Sequence, residues 1–144
     1  MPATTTIPAL RAALKTALEA RSGLAGVQVS HGVPRAIARE SIMLGDVDFT
    51  QQAVSARGTG QHSRRENYTL ALHIWVDSQG NDQKATSDRA FALMAEIESQ
   101  LRTDPSVSGT VHVAQIEGGK LEEQASDNAR AALLTVNVAC LGRI

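Results

Sequence analysis

The stretch from Tyr68 to Leu101, YTLALHIWVDSQGNDQKATSDRAFALMAEIESQL, changes its hydrophobic period partway along. Tyr68, Leu70, Leu72, Ile74 and Val76 recur at every second position, which places them on one face of a β-strand, with Thr69, Ala71, His73, Trp75 and Asp77 on the other. The Gly80-Asn81-Asp82 turn then breaks the strand. Phe91, Met94, Ile97 and Leu101 follow at intervals of three and four, the spacing of a helical stripe. Thr86 or Ser87 is the expected N-cap, Asp88 suits the positive end of the helix dipole, and Pro105 is the expected stop. The strand decides whether His73, beside Trp75, is the centre of an active site or a packing residue. A strand whose Tyr-Leu-Leu-Ile-Val face already supplies the core turns His73 and Trp75 toward another layer or a neighbouring subunit.

Outward from this unit, Leu10, Leu14 and Leu18 lie four apart with Ala13 and Ala17 beside them, predicting a first helix that opens near Pro8 and is capped by Gly23. A short strand over Val27 to Ser30 and a second over Ser41 to Leu44 follow. From Asp46 to Asn67 apolar periodicity fades, and a long loop or extended hairpin is expected, in which Gln52 to Ala56 could form an extended arm. Near the C-terminus, Val111, Val113 and Gln115 are read as one face of a strand. Leu134, Val136, Val138 and Cys140 alternate in its antiparallel partner, and GGKLEEQASDN between the two is expected to be a loose hairpin loop. The fold class is α+β: a mostly antiparallel sheet of four to five strands with two main helices packed on one face. At 144 residues one domain over 1–144 suffices.

Composition excludes several function classes. Fourteen basic against fifteen acidic residues leave a net charge of −1, too little for tight binding to nucleic acid by counterion release, and 3% aromatics supply no base-stacking platform. No apolar run reaches the length of a membrane span, and the N-terminal residues have no secretory pattern, so a cytosolic site of synthesis and no membrane partner are expected. A single cysteine rules out an internal disulfide and a multi-thiolate metal site.

Each chemical candidate has a plainer reading beside it. His73 could act as a general base, yet no triad-like pattern accompanies it. His31, His62, His73 and His112 show no metal-ligand spacing, and Cys140 sits where a small buried hydrophobe belongs. Gly58-Thr59-Gly60 and Gly118-Gly119-Lys120 lack the strand, glycine pattern and helix of a phosphate loop and read as flexible turns. The carboxylates of Asp46, Asp48, Glu122 and Glu123 have no fixed facing partner and are expected in solvent. No catalytic residue, metal or cofactor is expected. Arg57, Arg64 and Arg65, interrupted by Glu66, are the one local charge concentration, either solvated or in contact with an acidic neighbour.

Across most of its length the sequence resembles the tail terminator, or tail completion, proteins of long non-contractile-tailed bacteriophages. The resemblance lies in an N-terminal helix followed by VQVSHGVP, then RESIMLGDVDFTQQ, RRENYTLALHIWV, the helix KATSDRAFALMAEIESQLRTDP and a final strand pair. It implies a non-enzymatic virion protein, assembled in the host cytoplasm, that forms a ring, a hexamer, on the head-proximal end of the tail tube. Such a ring ends tube polymerisation and offers a docking surface to head-completion proteins. The implied partners are further copies of itself, the tail tube protein, a head-completion or connector protein, and duplex DNA passing weakly held through the lumen. In that setting Arg57, Arg64 and Arg65 are expected at the lumen or the neighbouring subunit. The rival readings are a head-tail connector or neck protein, a monomeric ligand-binding module with a deep apolar pocket, and a small His73-dependent enzyme.

Overall fold

In the computed structural model, which describes residues 4–54 and 63–144, the change of period at Tyr68–Leu101 becomes a strand-to-helix unit at the centre of the molecule. The elements run α1 Ile7–Glu19, β1 Gln28–His31, β2 Glu40–Val54, β3 Ser63–Gln79, α2 Gln83–Thr103, β4 Val113–Ser126 and β5 Ala129–Arg143. The five strands form one sheet in the order β1-β2-β3-β5-β4, with β1 parallel to β2 and every other pair antiparallel. Both helices pack on one face, as the α+β reading anticipates.

The core follows from the two periods. Leu10, Leu14 and Leu18 of α1 and Leu93, Ile97 and Leu101 of α2 are buried against Ile42, Leu44, Leu70, Leu72, Ile74, Val136 and Val138. Met94, Ile97 and Leu101 face the core as expected, but at the start of the stripe Ala90 and Leu93 point inward while Phe91 is 47% exposed. The N-terminal half of α2 meets the sheet through Thr86, Ser87 and Ala90, side chains small enough for close approach, so the bulky phenylalanine is rotated out.

Helix ends also differ from expectation. Asp82, not Thr86 or Ser87, caps α2 by accepting from the Ala85 N–H at 2.9 Å. Thr86 and Ser87 are instead buried inside the helix, with the Thr86 hydroxyl 2.6 Å from that of Ser78 on β3. The helix ends at Thr103, ahead of Pro105. Gly23 does not cap α1, which ends four residues earlier at Glu19; it lies in a short 3₁₀ turn, where the absence of a side chain leaves room for Glu96. There the Arg21 guanidinium bonds Glu96 at 2.9 and 3.0 Å and Gln100 at 3.1 Å, tying this turn to α2.

Two corrections concern the sheet. The polar segment GGKLEEQAS is strand, paired residue by residue with β5, and the turn is confined to Asp127-Asn128. Gly118 and Gly119 are therefore strand residues and not a flexible turn. The inward face of β4 is Ala114 and Ile116, one position out of phase with the expected Val113 and Gln115. Each long polar strand also carries a one-residue bulge, at Leu44/Val47 in β2 and at Ile116/Gly118 in β4. The bulges return Val47 and Leu121 to the inward face after the simple alternation has failed. The stretch from Asp46 to Asn67 is thus largely the two arms of an extended hairpin.

Candidate functional site

One face of the sheet is sealed by the helices; on the other, residues 36–38 lie against the start of β2, where buried Ser41 donates to the Ala38 carbonyl at 2.9 Å, and the rest has no covering element among the described residues. His73 lies on this open face. Its Nδ1 is 3.0 Å from the Thr135 hydroxyl, and its ring packs over Gly45, where an added Cβ would come within 2.7 Å of Cδ2 and Nε2. Glycine at the bulge is what allows the imidazole to lie there. Trp75 donates from Nε1 to Asp77 at 3.1 Å, and Met43, registered opposite His73, is buried. The hydrogen-bond partner of His73 is a hydroxyl, and among the described residues no carboxylate orients the ring as a triad would require.

The remaining candidates are scattered. His31 is exposed at the end of β1, and His112 is exposed just before β4. Among the described residues no three His, Cys, Asp or Glu side chains gather closely enough to hold a metal. Cys140 is buried on the inward face of β5, where burial pushes its thiol up to about 12, away from the thiolate form that a nucleophile needs. An open groove of about 700 Å³ crosses the uncovered face beside Asp48, Thr50, Asn67, Thr69, Gln115 and Leu141. No helix of the described residues is long and apolar enough to cross a membrane.

Arg57, His62, Gly58 and Gly60 lie outside the described residues. Arg64 and Arg65 are consecutive in β3 and so project from opposite faces of the sheet. Arg65 is exposed on the open face, registered opposite Arg143, with which it and His112 line a small recess.

Glu66, read from the sequence as a mere interruption of the arginines, is fully buried. Its carboxylate accepts from the Thr5 hydroxyl, the Thr6 N–H at 2.9 Å, the Thr6 hydroxyl at 2.7 Å and Gln51 Nε2 at 2.9 Å. Burial opposes ionisation most strongly of any single influence, yet the donors together hold the carboxyl below its ordinary value. The Tyr68 hydroxyl is 3.0 Å from Thr6, and Gly142, registered opposite Glu66, leaves the space that the Thr6 side chain fills. The start of α1 is thereby fastened to β2, β3 and β5. The signal was present in the sequence, because the alternation of Tyr68–Val76 extended two residues back falls on Glu66.

These features define an α+β protein with a five-stranded mixed sheet and both helices on one side of it. None of the known protein-family models matches the sequence, and no curated protein matches it. Solved structures do share the fold: a chain from the virion of a native gene transfer agent particle aligns with a TM-score of 0.58 at 17% identity, over 97% of this chain and 100% of that one.

Proposed function

We propose that this chain is a structural protein of a phage-like virion, and within it the tail terminator: a ring, hexameric in the arrangement expected, that caps the head-proximal end of the tail tube. The observation that carries the reading is the end-to-end likeness to a chain of the gene transfer agent virion, which this chain spans completely. Physical features agree with it. A protein that ends a stack needs one surface complementary to the tube and a different surface opposite, and a ring needs a heterologous contact whose rotation closes. Among the described residues this fold offers a largely open sheet face, two sheet edges without a further strand and a long hairpin with which to engage neighbours. The net charge of −1 suits a lumen through which duplex DNA slides without many additive phosphate contacts.

In this arrangement the tube protein binds one side of the ring and a head-completion protein the other. Arg57, Arg64 and Arg65 remain proposed lumen or inter-subunit contacts. Since Arg64 and Arg65 leave opposite faces of β3, only one of them faces the lumen, and Arg65 on the open face is the better placed. Negative-stain imaging of the protein mixed with tail tubes tests the role: density at one tube end is expected, and overlong tubes in its absence. Tubes of ordinary length that join heads without the protein would falsify the role, and binding to filled capsids in place of tube ends would assign it to the neck. Replacing all three arginines with Ser is expected to impair ring formation or infectivity.

A further inference from the structure

The two edges of the sheet carry opposite, unpaired charge. At the β1 edge, residues 32–39 return the chain from β1 to the parallel β2. Parallel strands ordinarily need a longer crossover, but β1 has only four residues, about 13 Å, so this short return suffices. It is held over the open face of β1 by Gln28, which donates to the Ala36 carbonyl at 3.2 Å and accepts from the Ala38 N–H at 2.9 Å, and it joins β2 at Arg39, whose carbonyl accepts from the Asp77 N–H at 2.8 Å. What it presents outward is alternately apolar and cationic in sequence: Val33 is 75% and Ile37 44% exposed, and Arg35 and Arg39 are exposed as well. Neither arginine makes an ion pair among the described residues.

At the other edge, β4 pairs with β5 alone among the described strands; the Ala114 N–H is taken by the Pro105 carbonyl at 2.8 Å, and from Gln115 onward the outer row of backbone N–H and C=O groups is open among the described residues. It carries Glu117, Lys120, Glu122 and Glu123. Lys120 pairs with Glu122 at 3.1 Å, so Glu117 and Glu123 have no ion-pair partner among the described residues. Next to this edge a groove of about 260 Å³ between α2 and β4 has an apolar floor of Leu101, Pro105, Ala114 and Ile116 and is also lined by the Glu98–Arg102 ion pair.

We infer that these edges are the two halves of one contact: residues 33–39 of one copy lie along β4 of the next, with Arg35 and Arg39 straddling the strand to meet Glu117 on its open face and Glu123 on its helix face, and an apolar side chain, Ile37 or Val33, seated in the groove. This rests on the ring reading and names its subunit interface. Donor and acceptor surfaces sit at opposite ends of one sheet, so the contact is heterologous and propagates from copy to copy until it closes. The backbone edge and the groove hold the neighbour, while the charges select it and set the register. The open sheet face has no comparable pairing of charge with charge to identify its occupant.

The test uses two exposed double substitutions on the full chain, Arg35→Glu/Arg39→Glu and Glu117→Arg/Glu123→Arg, with association followed by sedimentation across a concentration series. Each variant alone sets like charges against each other and is expected to associate at least about tenfold more weakly than the wild type. An equimolar mixture restores opposite charges at every contact of an alternating ring and should recover association. A variant that associates like the wild type, a mixture that stays dissociated, or a wild-type chain that remains monomeric at every concentration overturns the pairing. Imaging of the same proteins on tube ends separates this from the terminator role. Variants that cap tubes normally sink the edge contact alone, whereas a wild type that associates by these edges but ignores tubes sinks the terminator role alone.

Discussion

The buried Glu66 carboxylate takes two hydrogen bonds from Thr6, one from the backbone N–H at 2.9 Å and one from the hydroxyl at 2.7 Å. Thr6 is the residue at the N-cap of α1, and its own side chain makes no capping bond to the helix. Glu66 therefore supplies from β3 the negative charge that a helix N-terminus favours.

Removing that carboxylate while leaving its donors in place should be severe. Glu66→Ala strands the donors of Thr5, Thr6 and Gln51 in a buried site, and a loss of about 3 kcal/mol is expected in urea unfolding. Gln keeps an acceptor oxygen, so Glu66→Gln should lose less.

The same carboxyl predicts a pH dependence. Its folded value is lowered, so the stability it contributes is complete above the ordinary carboxylate value of about 4.3 and is lost as pH falls through the lower folded value. Glu40, lowered chiefly by its hydrogen bond from Arg89, contributes in the same direction. Unfolding free energies measured from neutral to acid pH should therefore fall for the wild type and fall less steeply for Glu66→Gln.

Adjacent glycines in β4 should respond in opposite ways. A Cβ at Gly119 would collide with the Thr135 carbonyl oxygen on β5, whereas at Gly118 it meets nothing within 4 Å. Gly119→Ala is expected to lower stability by roughly 1–3 kcal/mol and Gly118→Ala to change it little, as thermal unfolding can check. Equal effects at the two positions would contradict the registry of β4 on β5.

Gly45 and His73 should be energetically coupled. Gly45→Ala forces its methyl toward the imidazole and toward the Ala71 carbonyl oxygen at 3.1 Å. In a double-mutant cycle its penalty should shrink when His73 is already Ala. An additive cycle would remove the packing role assigned here to His73.

The rotation of α2 separates two apolar residues that the sequence treats alike. Leu93→Ala empties a fully buried site and is expected to lose about 2–5 kcal/mol, whereas Phe91→Ala, at a largely exposed position, should stay within about 0.5 kcal/mol. If Phe91 meets a partner protein, its loss will appear in binding and not in the melt.

Much of the architecture was legible before any coordinates. In β3, α1 and β5 the side chains of a single segment alternate or recur because one face of that segment is buried, so the period is written locally in Tyr68–Val76, Leu10–Leu18 and Leu134–Cys140. Element order and the core position of Cys140 followed from it. The polar half of β4 was not legible, because EGGKLEEQAS is a strand through backbone bonds to β5, and a backbone partner leaves no mark in side-chain period. The bulges at Leu44/Val47 and Ile116/Gly118, the rotation of Phe91 out of the core and the burial of Glu66 likewise arose from what lay across from each residue. A chain carries its own pattern of apolar faces; which segment supplies the missing donor, the clash or the open edge depends on neighbours that become adjacent only when the sheet assembles.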